Sequence, residues 1–514
     1  MFRAVIAAAL WAVASFLACG AFAANKPTYG PPAPWVRPAA LPAAGAPPSG
    51  AAVQALLWDR QIHFDANGAE TYVEIAFRIL TPQGLSYVNA IAPWWNPATA
   101  GVTFHKFEVL RGGKVIDLLG GGKKVTVLRR ETDLERQMLD GTLTATVQPE
   151  GLEVGDVVDV AFTLADRDPV LHGYANTVLA APRPSVVRYM RIRALWPTAL
   201  PVAWRATDGM PRPKLVHEGD TTELLLGAND FEAPKPPAGA PSRYNDVAQL
   251  ELSRFQSWAA VSALMAPLYE KAEVPAPNSS LKDEARKIAA LSPDPKVRAE
   301  AALRLVQDKV RYFALAMNEG GFVPADADLT WSRKFGDCKG KTVLLLALLH
   351  ALGIQAEPAL VSTVIGDGLD KRLPGLLFDH VIVKAEIGGK TYWLDGTRIG
   401  DRALDNIATP DFHWALPVQA SGARLEQLVA PPLQEPQDEN LIKLDATAGI
   451  DKPARAHAGR LFRGDLAVGW NVVLTAAGAR PPTGRSGPIG AKNCPGSTSS
   501  VSGSPSTTES ARCA

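Results

Sequence analysis

A chain of 514 residues is long enough for roughly two to four domains. Its 53 basic and 52 acidic residues leave no net field to steer it toward nucleic acid or an anionic membrane. An apolar fraction of 47% is ordinary for folded domains, and 42 prolines with 43 glycines promise many turns and connecting stretches.

Residues 1–23 have the pattern of a secretory signal peptide. Arg3 supplies the positive start, Val5–Cys19 the apolar stretch, and Ala21-Phe22-Ala23 the small-x-small cleavage site. The apolar stretch is too short, and too soon followed by proline, to be read as a membrane span. The expected location is the periplasm or the cell exterior. Phe16-Leu17-Ala18-Cys19-Gly20 resembles a bacterial lipoprotein box with Phe where Leu is usual, so a lipoprotein anchored through Cys19 is the alternative. Cleavage after Ala23 would discard that cysteine. Residues 24–52, rich in Pro and Ala with few core formers, read as an extended linker.

From 53 to 235 the hydrophobic period is two. Val73, Ile75, Phe77 and Ile79 alternate with polar residues after Asn67-Gly68. Gly112-Gly113 separates two short runs, and Val158, Val160, Phe162 and Leu164 alternate after Gly155-Asp156. Many short strands with Gly-rich turns predict an antiparallel β-sandwich-like domain. His63, His105, His172 and His217 are scattered without ligand spacing, so the domain's role is read as binding or as presentation of the downstream core. Ala233–Ser242, A-P-K-P-P-A-G-A-P-S, reads as a hinge between domains.

A helical period opens the next unit, 243–430. Helices are expected over Ser257–Ala266 (stopped by Pro267), over Leu281–Leu291, and from the capped start Asp294-Pro295 to about Phe313. Asn318–Trp331 reads as a loop. Lys334–Ile354, K-F-G-D-C-K-G-K-T-V-L-L-L-A-L-L-H-A-L-G-I, predicts a helix capped by Asp337, apolar nearly all round and stopped at Gly353. Cys338 falls in its first turn, where unpaired N–H groups and the helix dipole favour a thiolate. His350 shares that helix, but twelve residues place it about 18 Å along the axis and a third of a turn off, so it cannot serve as base to Cys338.

After a Gly-marked loop at Ile365–Pro374, read as a flap, Phe378–Thr397 forms two alternating runs around Gly388-Gly389, a two-residue hairpin. Pairing Ile387 with Lys390 sets Asp395 opposite Ile382 and His380 opposite Thr397. His380 and Asp395 then share a face as diagonal neighbours roughly 7 Å apart at the backbone. Val381, Val383, Tyr392 and Leu394 make the opposite, buried face. Asp379 points away from His380, which leaves Asp395 as the orienter. A nucleophile on a helix start, an imidazole on a strand and a carboxylate on the next strand form a catalytic constellation in chain order. The duller alternative is a buried thiol beside a structural His–Asp pair.

F-G-D-C-K-G-K-T, F-D-H-V-I-V and Y-W-L-D-G-T together resemble the transglutaminase-like superfamily, whose core is similar to papain's. The resemblance covers roughly Trp258–Thr397 and implies the triad Cys338, His380 and Asp395, one residue per motif. It also implies a second oxyanion donor upstream of the cysteine, for which Trp331 and Asn318 are candidates. The β-rich region before it resembles the domain of unknown function that precedes this core in many bacterial envelope proteins.

From about Glu439 alternation resumes through Leu441, Leu444, Leu461, Leu466 and Trp470, predicting the start of a C-terminal β domain over 431–478. Residues 479–514 have almost nothing to bury and read as a disordered or frame-shifted tail. Cys494 and Cys513 lie there, which leaves Cys338 as the lone core thiol of an exported chain, without a disulfide framework.

The whole implies an α+β protein acting as an exported cysteine enzyme. It would transfer the acyl group of a peptide or protein amide to a Cys338 thioester. Hydrolysis is preferred by analogy with bacterial relatives of this organisation; cross-linking to an amine, or a non-catalytic scaffold, are the alternatives. No metal or organic cofactor is implied, since zinc wants three or four clustered ligands and one thiol is available.

Overall fold

The computed structural model describes residues 25–476, except 91–92, 121–124, 130, 132–133, 135–137, 140, 147–148, 150, 183–185, 245–247, 316–320, 434, 450 and 453. The signal-peptide reading of 1–23 and the tail at 479–514 lie outside the described residues. The chain is a mixed α+β protein, rich in strand. Among the described residues no helix is long and apolar enough to cross a membrane.

The first half is built on one nine-stranded sheet. Its order runs Thr28–Tyr29, Ala100–Arg111, Val157–Asp166, Gly68–Ile79, Val53–Asp65, Val187–Pro197, Thr221–Phe231, Lys214–Glu218, with Lys114–Asp117 on Ala100–Arg111. The predicted alternation pairs as a meander, Val53–Asp65 returning through a tight turn into Gly68–Ile79. The sheet is nonetheless mixed rather than antiparallel, because Val53–Asp65 runs parallel to Val187–Pro197.

One face of this sheet is covered by two short sheets in place of a second large one. Asn176–Ala180, Gln249–Ser253 and Ala203–Ala206 form one cover, burying Leu250 and Leu252 on Ile62, Met190 and Leu224. Trp94–Trp95, Leu143–Thr146 and Thr126–Arg129 form the other, burying Trp95 and Leu143 on Phe77, Phe104 and Val158. Ile62 pairs opposite Thr71, so Ile62 and Val73 point the same way and both covers lie on one side.

Two expected boundaries differ. Gln249–Ser253 comes after the Pro-rich stretch 233–242, so the chain returns to the β domain beyond its supposed hinge. Residues 25–52, most of the stretch read as a linker over 24–52, are not a free linker. The opposite sheet face carries buried polar residues, Asp59, Gln61, Glu74 and Arg193 among them. The Arg37 backbone N–H donates to Gln61 Oε1 (3.0 Å), Gln61 Nε2 donates to Arg37 O (2.7 Å), and Arg193 donates to Trp35 O (2.6 Å). Sequence alternation reads such a polar face as solvated, yet buried polar groups need partners and here a strap of the same chain supplies them.

The second half surrounds one helix. Helices α1 (Trp258–Ala272), α2 (Leu281–Leu291), α3 (Pro295–Lys309), α4 (Ala327–Arg333) and α5 (Cys338–Ala351) precede and include it. Helix α1 runs through Pro267 rather than ending before it. The lost hydrogen bond is offset by burial of Tyr269 and Ala272 in the next turn. Helix α3 ends at Lys309, short of Phe313, because Arg311–Tyr312 pairs with Phe335–Gly336. Helix α4 occupies part of the stretch read as a loop.

Helix α5 is buried over eleven of its fourteen residues, as its unbroken apolar run requires. Against it lies an antiparallel five-stranded sheet ordered Lys390–Leu394, His380–Ile387, Gln355–Val361, Trp414–Pro417, Glu426–Gln427. Val381, Val383 and Leu394 pack on the helix side. The other face is buried too, through Ile382, Ala359, Val361 and Ala415.

At the C-terminus Asp438–Asp445 and Arg455–Phe462 form the expected β start, but Leu466 and Trp470 belong to helix α6 (Gly464–Ala476). Trp470 stacks on Phe462 at 5.3 Å, a contact that favours helix over a third strand.

Leu345 is wholly buried at the centre of α5. Leu345→Ala is expected to destabilise this unit by about 2–5 kcal/mol, read as a lowered urea midpoint in circular dichroism.

Candidate active site

Helix α5 starts where it does because of Asp337. Its carboxylate accepts from Gly340 N at 2.9 Å and pairs with the Lys339 ammonium. Gly336 and Gly340 flank this turn, and a Cβ at either would stand 2.9 Å from the side chain of Thr330 on α4. The glycines of F-G-D-C-K-G therefore let α4 press against the turn that carries Cys338. The cysteine is buried, 9% exposed, and unbridged.

The hairpin at Gly388-Gly389 (φ +61° and +78°) has the left-handed pair that a two-residue turn needs. Ile387 pairs with Lys390 as expected, and the ladder ends at Val383 and Leu394. Just beyond, Asp395 Oδ2 lies 2.9 Å from His380 Nε2. Asp395 Oδ1 accepts from Thr397 N (2.8 Å) and Thr397 Oγ1 (2.7 Å). The Asp395 carbonyl accepts from Gln307 Nε2 at 3.0 Å. With Nε2 engaged by Asp395, His380 keeps Nδ1 free to face a partner, and Cys338 lines the same cavity. Phe412 holds the ring edge-on at 5.8 Å.

Burial works against a charged His380, but hydrogen bonds to Asp395 and then to Cys338 outweigh it and push the imidazole up to about 10. Burial likewise opposes ionisation of Asp395, and the imidazole and Thr397 hold the carboxyl below its usual range. Both shifts favour the imidazolium–carboxylate form of the pair. Such a pair can hold a proton for a leaving group and orient the imidazole toward a nucleophile.

Cys338 and His380 line one cavity of about 210 Å³. Tyr269, Tyr312, Phe322, Leu376 and Phe378 make its walls, and Met138 arrives from the β domain. Met138–Leu139 pairs in parallel with Ala314–Leu315, which fixes that wall. Tyr269 lies beyond Pro267, where the sequence ends the predicted helix; its hydroxyl is pushed up by burial first and then by Cys338 and Asp337. Lys341, 1% exposed, is equally hidden in an apolar helix. Its Nζ donates to Val310 O, and burial pulls it down to about 8 against the pull of Asp395.

His350 and Asp379, both set aside in the sequence, have other partners. His350 donates to Ala356 O at 2.9 Å, away from the cavity. Asp379 lines the cavity, but its carboxylate accepts from Thr363 N (2.7 Å) and Oγ1 (2.6 Å). Trp331 lies under the Lys334 ammonium and does not line the cavity. Asn318 lies outside the described residues. The segment read as a flap is pinned to the β domain: Leu373 N donates to Glu251 (2.9 Å), and Ser253 Oγ donates to Pro374 O (2.5 Å). Among the described residues no three His, Cys, Asp or Glu side chains cluster to hold a metal ion.

Residues 65–235 match DUF3857, a domain of unknown function with a solved structure. A solved structure from Parabacteroides distasonis, described as a "putative protease", is similar over 78% of this chain and 79% of its own. It has 16% identity and a TM-score of 0.58, a likeness of fold. A "putative cysteine protease" from Cytophaga hutchinsonii overlaps 56% of this chain and 84% of its own, at 14% identity and a TM-score of 0.21. An M1 zinc metallopeptidase from Deinococcus radiodurans overlaps 39% of this chain and 42% of its own, at 8% identity and a TM-score of 0.20. Neither of these two bears on the fold. No curated protein matches the sequence.

Gly340→Ala is expected to destabilise the unit by about 1–3 kcal/mol, because its new methyl group meets Thr330. Thr330→Ala should recover part of that loss in a double-mutant cycle measured by urea unfolding. His380 is raised from 6.5 to about 10 on folding, so its pairing stabilises fully below pH 6.5 and is lost as pH rises through about 10. The melting-temperature gap between wild type and His380→Gln should therefore be widest near pH 6 and close toward pH 10 in a thermal-shift series.

Proposed function

We propose that this protein is an exported, transglutaminase-like cysteine hydrolase that cleaves peptide or protein amides through a thioester on Cys338. The observation that carries the reading is the His380–Asp395 pair at 2.9 Å, whose imidazole shares one cavity with a thiol at a helix start. The fold likeness to a structure described as a protease supports the hydrolytic choice. The N-terminal pattern around Arg3, Val5–Cys19 and Ala21-Phe22-Ala23 supports export to the periplasm or beyond, with lipid attachment at Cys19 as the alternative.

In this mechanism the proton of the Cys338 thiol passes to His380, and the resulting thiolate attacks the amide carbonyl to form an S–C bond. The oxygen that becomes negative lies toward the Cys338 N–H, at a helical position whose donor has no intrahelical acceptor. The His380 imidazolium gives its proton to the amine as the C–N bond breaks. Water then attacks the thioester. His380 takes a proton from it, and the S–C bond breaks to release the acid. Asp395, fixed by Thr397, keeps the imidazole in the orientation that places Nδ1 at the sulfur.

Wild type and Cys338→Ala incubated with a peptide mixture and a labelled primary amine, with products read by mass spectrometry, test the reading. New termini that require Cys338 are expected, and Asp395→Ala should slow their release about 10²–10⁴-fold. Amine incorporation in place of cleavage would mean cross-linking. No Cys338-dependent product of either kind would sink the enzyme reading and leave a scaffold.

A further inference from the structure

A second cavity, of about 720 Å³, opens in the β domain between the two cover sheets. Phe162, Leu164 and Thr71 of the large sheet form its floor, Trp94 stands on one side and Leu179 on the other. Its volume suits an organic ligand or a peptide segment. Gly321, Phe322 and Leu376 line it and the Cys338 cavity alike, so one layer of side chains is common to both. Leu376 is tied to this wall through its N–H, which donates to Asn176 Oδ1 at 2.8 Å.

One side chain in this cavity is out of keeping with its position. Arg60 pairs opposite Val73 and so points to the covered face, with Trp58 and Ile62 as its neighbours along the strand. Its guanidinium lies over the Trp58 ring at 5.2 Å. Its Nε is buried without a hydrogen-bond partner, and no carboxylate pairs with it among the described residues. Neighbouring Asp59 points to the other face, where Arg191 holds it at 2.7 Å. Arg193, also inside this domain, has Glu223 at 2.9 Å. Burial lowers the Arg60 pKa to about 10, with Asp59 opposing, so the group stays charged at neutral pH. A half-buried cation with no ion-pair partner among the described residues and an unpartnered Nε is open to completion by a ligand's carboxylate.

Asp166 and Asp168 also line the cavity. Asp166 pairs with Ala69 whereas Arg60 pairs with Val73, four residues or about 13 Å along the strands. Asp168 is occupied in accepting from Val170 N at 3.0 Å. The acidic end is thus separate from the Arg60 end.

We propose that this cavity binds a carboxylate on an apolar stem, carried by the polypeptide whose amide is presented to Cys338, with Arg60 as the anchor. Arg60 supplies a flat fork of donors already braced on Trp58, which suits a two-oxygen acceptor. Trp94, Phe162 and Leu164 grip the stem. The carboxylate is either an acidic side chain or a chain terminus. Placing both groups on one polypeptide rests on the amide-cleaving reading of Cys338; the affinity of Arg60 for a carboxylate does not.

The full chain carrying Cys338→Ala, which prevents turnover, is titrated calorimetrically with two pairs of acetylated peptides. Ala-Ala-Leu-Phe-Glu amide is set against its Gln counterpart, and Ala-Ala-Leu-Phe with a free C-terminus against its amide. In at least one pair the acid form should bind about tenfold or more tightly than the neutral form. That pair identifies the source of the carboxylate. Arg60→Gln should erase the preference and Arg60→Lys retain part of it. No binding, equal binding within both pairs, or a preference that survives in Arg60→Gln with an unchanged circular dichroism spectrum would overturn the proposal. If Arg60→Gln does not fold, the acid-to-neutral ratio with Arg60 in place and its change in Arg60→Lys decide. An Arg60-dependent preference without any Cys338-dependent product sinks the hydrolase reading and leaves the site; Cys338-dependent cleavage with acid and neutral forms bound alike sinks the site alone.

Discussion

The site depends first on how closely α4 lies against the opening turn of α5. At Gly336 and Gly340 even a methyl group would stand 2.9 Å from Thr330, closer than such atoms come in ordinary packing. That contact sets where the Asp337 cap forms and therefore which way Cys338 faces. Beyond the first turn, Leu344, Leu345, Leu346, Leu348 and Leu349 are all at most 1% exposed, so the helix has no freedom to slide. The hairpin carrying His380 packs Val381 and Val383 onto the same helix. Cys338 and His380 are thus registered to one another by a shared core.

The second constraint is electrostatic. A carboxylate 5% exposed is tolerable only if its oxygens are answered, and Asp395 has the imidazole on one and Thr397 on the other. Because the cation that answers it is itself buried, neither group can change protonation alone without stranding its partner. The arrangement therefore favours a proton on His380. In the proposed reaction the leaving amine would take that proton, whereas a bare imidazole in water would have lost most of it at neutral pH.

The parts of this that were legible in the sequence are local in origin. Gly388-Gly389 with alternating flanks specifies the register, and a slip of one residue would have put His380 and Asp395 on opposite faces. Asp337, the Asp294-Pro295 pair and the apolar run of α5 are likewise written in neighbouring residues. What escaped reading is decided at a distance. Pro267 interrupts a helix on paper, yet Tyr269 and Ala272 are buried one turn on. The strap at 24–52 has linker composition, yet it supplies partners for Gln61 and Arg193. A nine-stranded mixed sheet with two small covers has the same alternation as a sandwich, since period two reports which face is buried and not what buries it.

Distance along the chain also hides how far the two halves depend on each other. Residues 365–374 have the Gly and Pro content of a loose loop, but Glu251 of the β domain is 2% exposed and accepts from Arg372 Nε (2.7 Å) and Leu373 N (2.9 Å) as well as from Gln249 (3.0 Å). Those donors come from both halves, so the carboxylate is satisfied in full only when they are docked. A few residues on, the same segment delivers Leu376 and Phe378 to the wall of the Cys338 cavity. Met138 reaches the opposite side from a β-domain strand paired with Ala314. Taking the β domain away would remove a wall residue outright and free the loop that carries two others. Cys338, His380 and Asp395 belong to the second half alone, whereas the shape of the cavity that Cys338 and His380 line belongs to both.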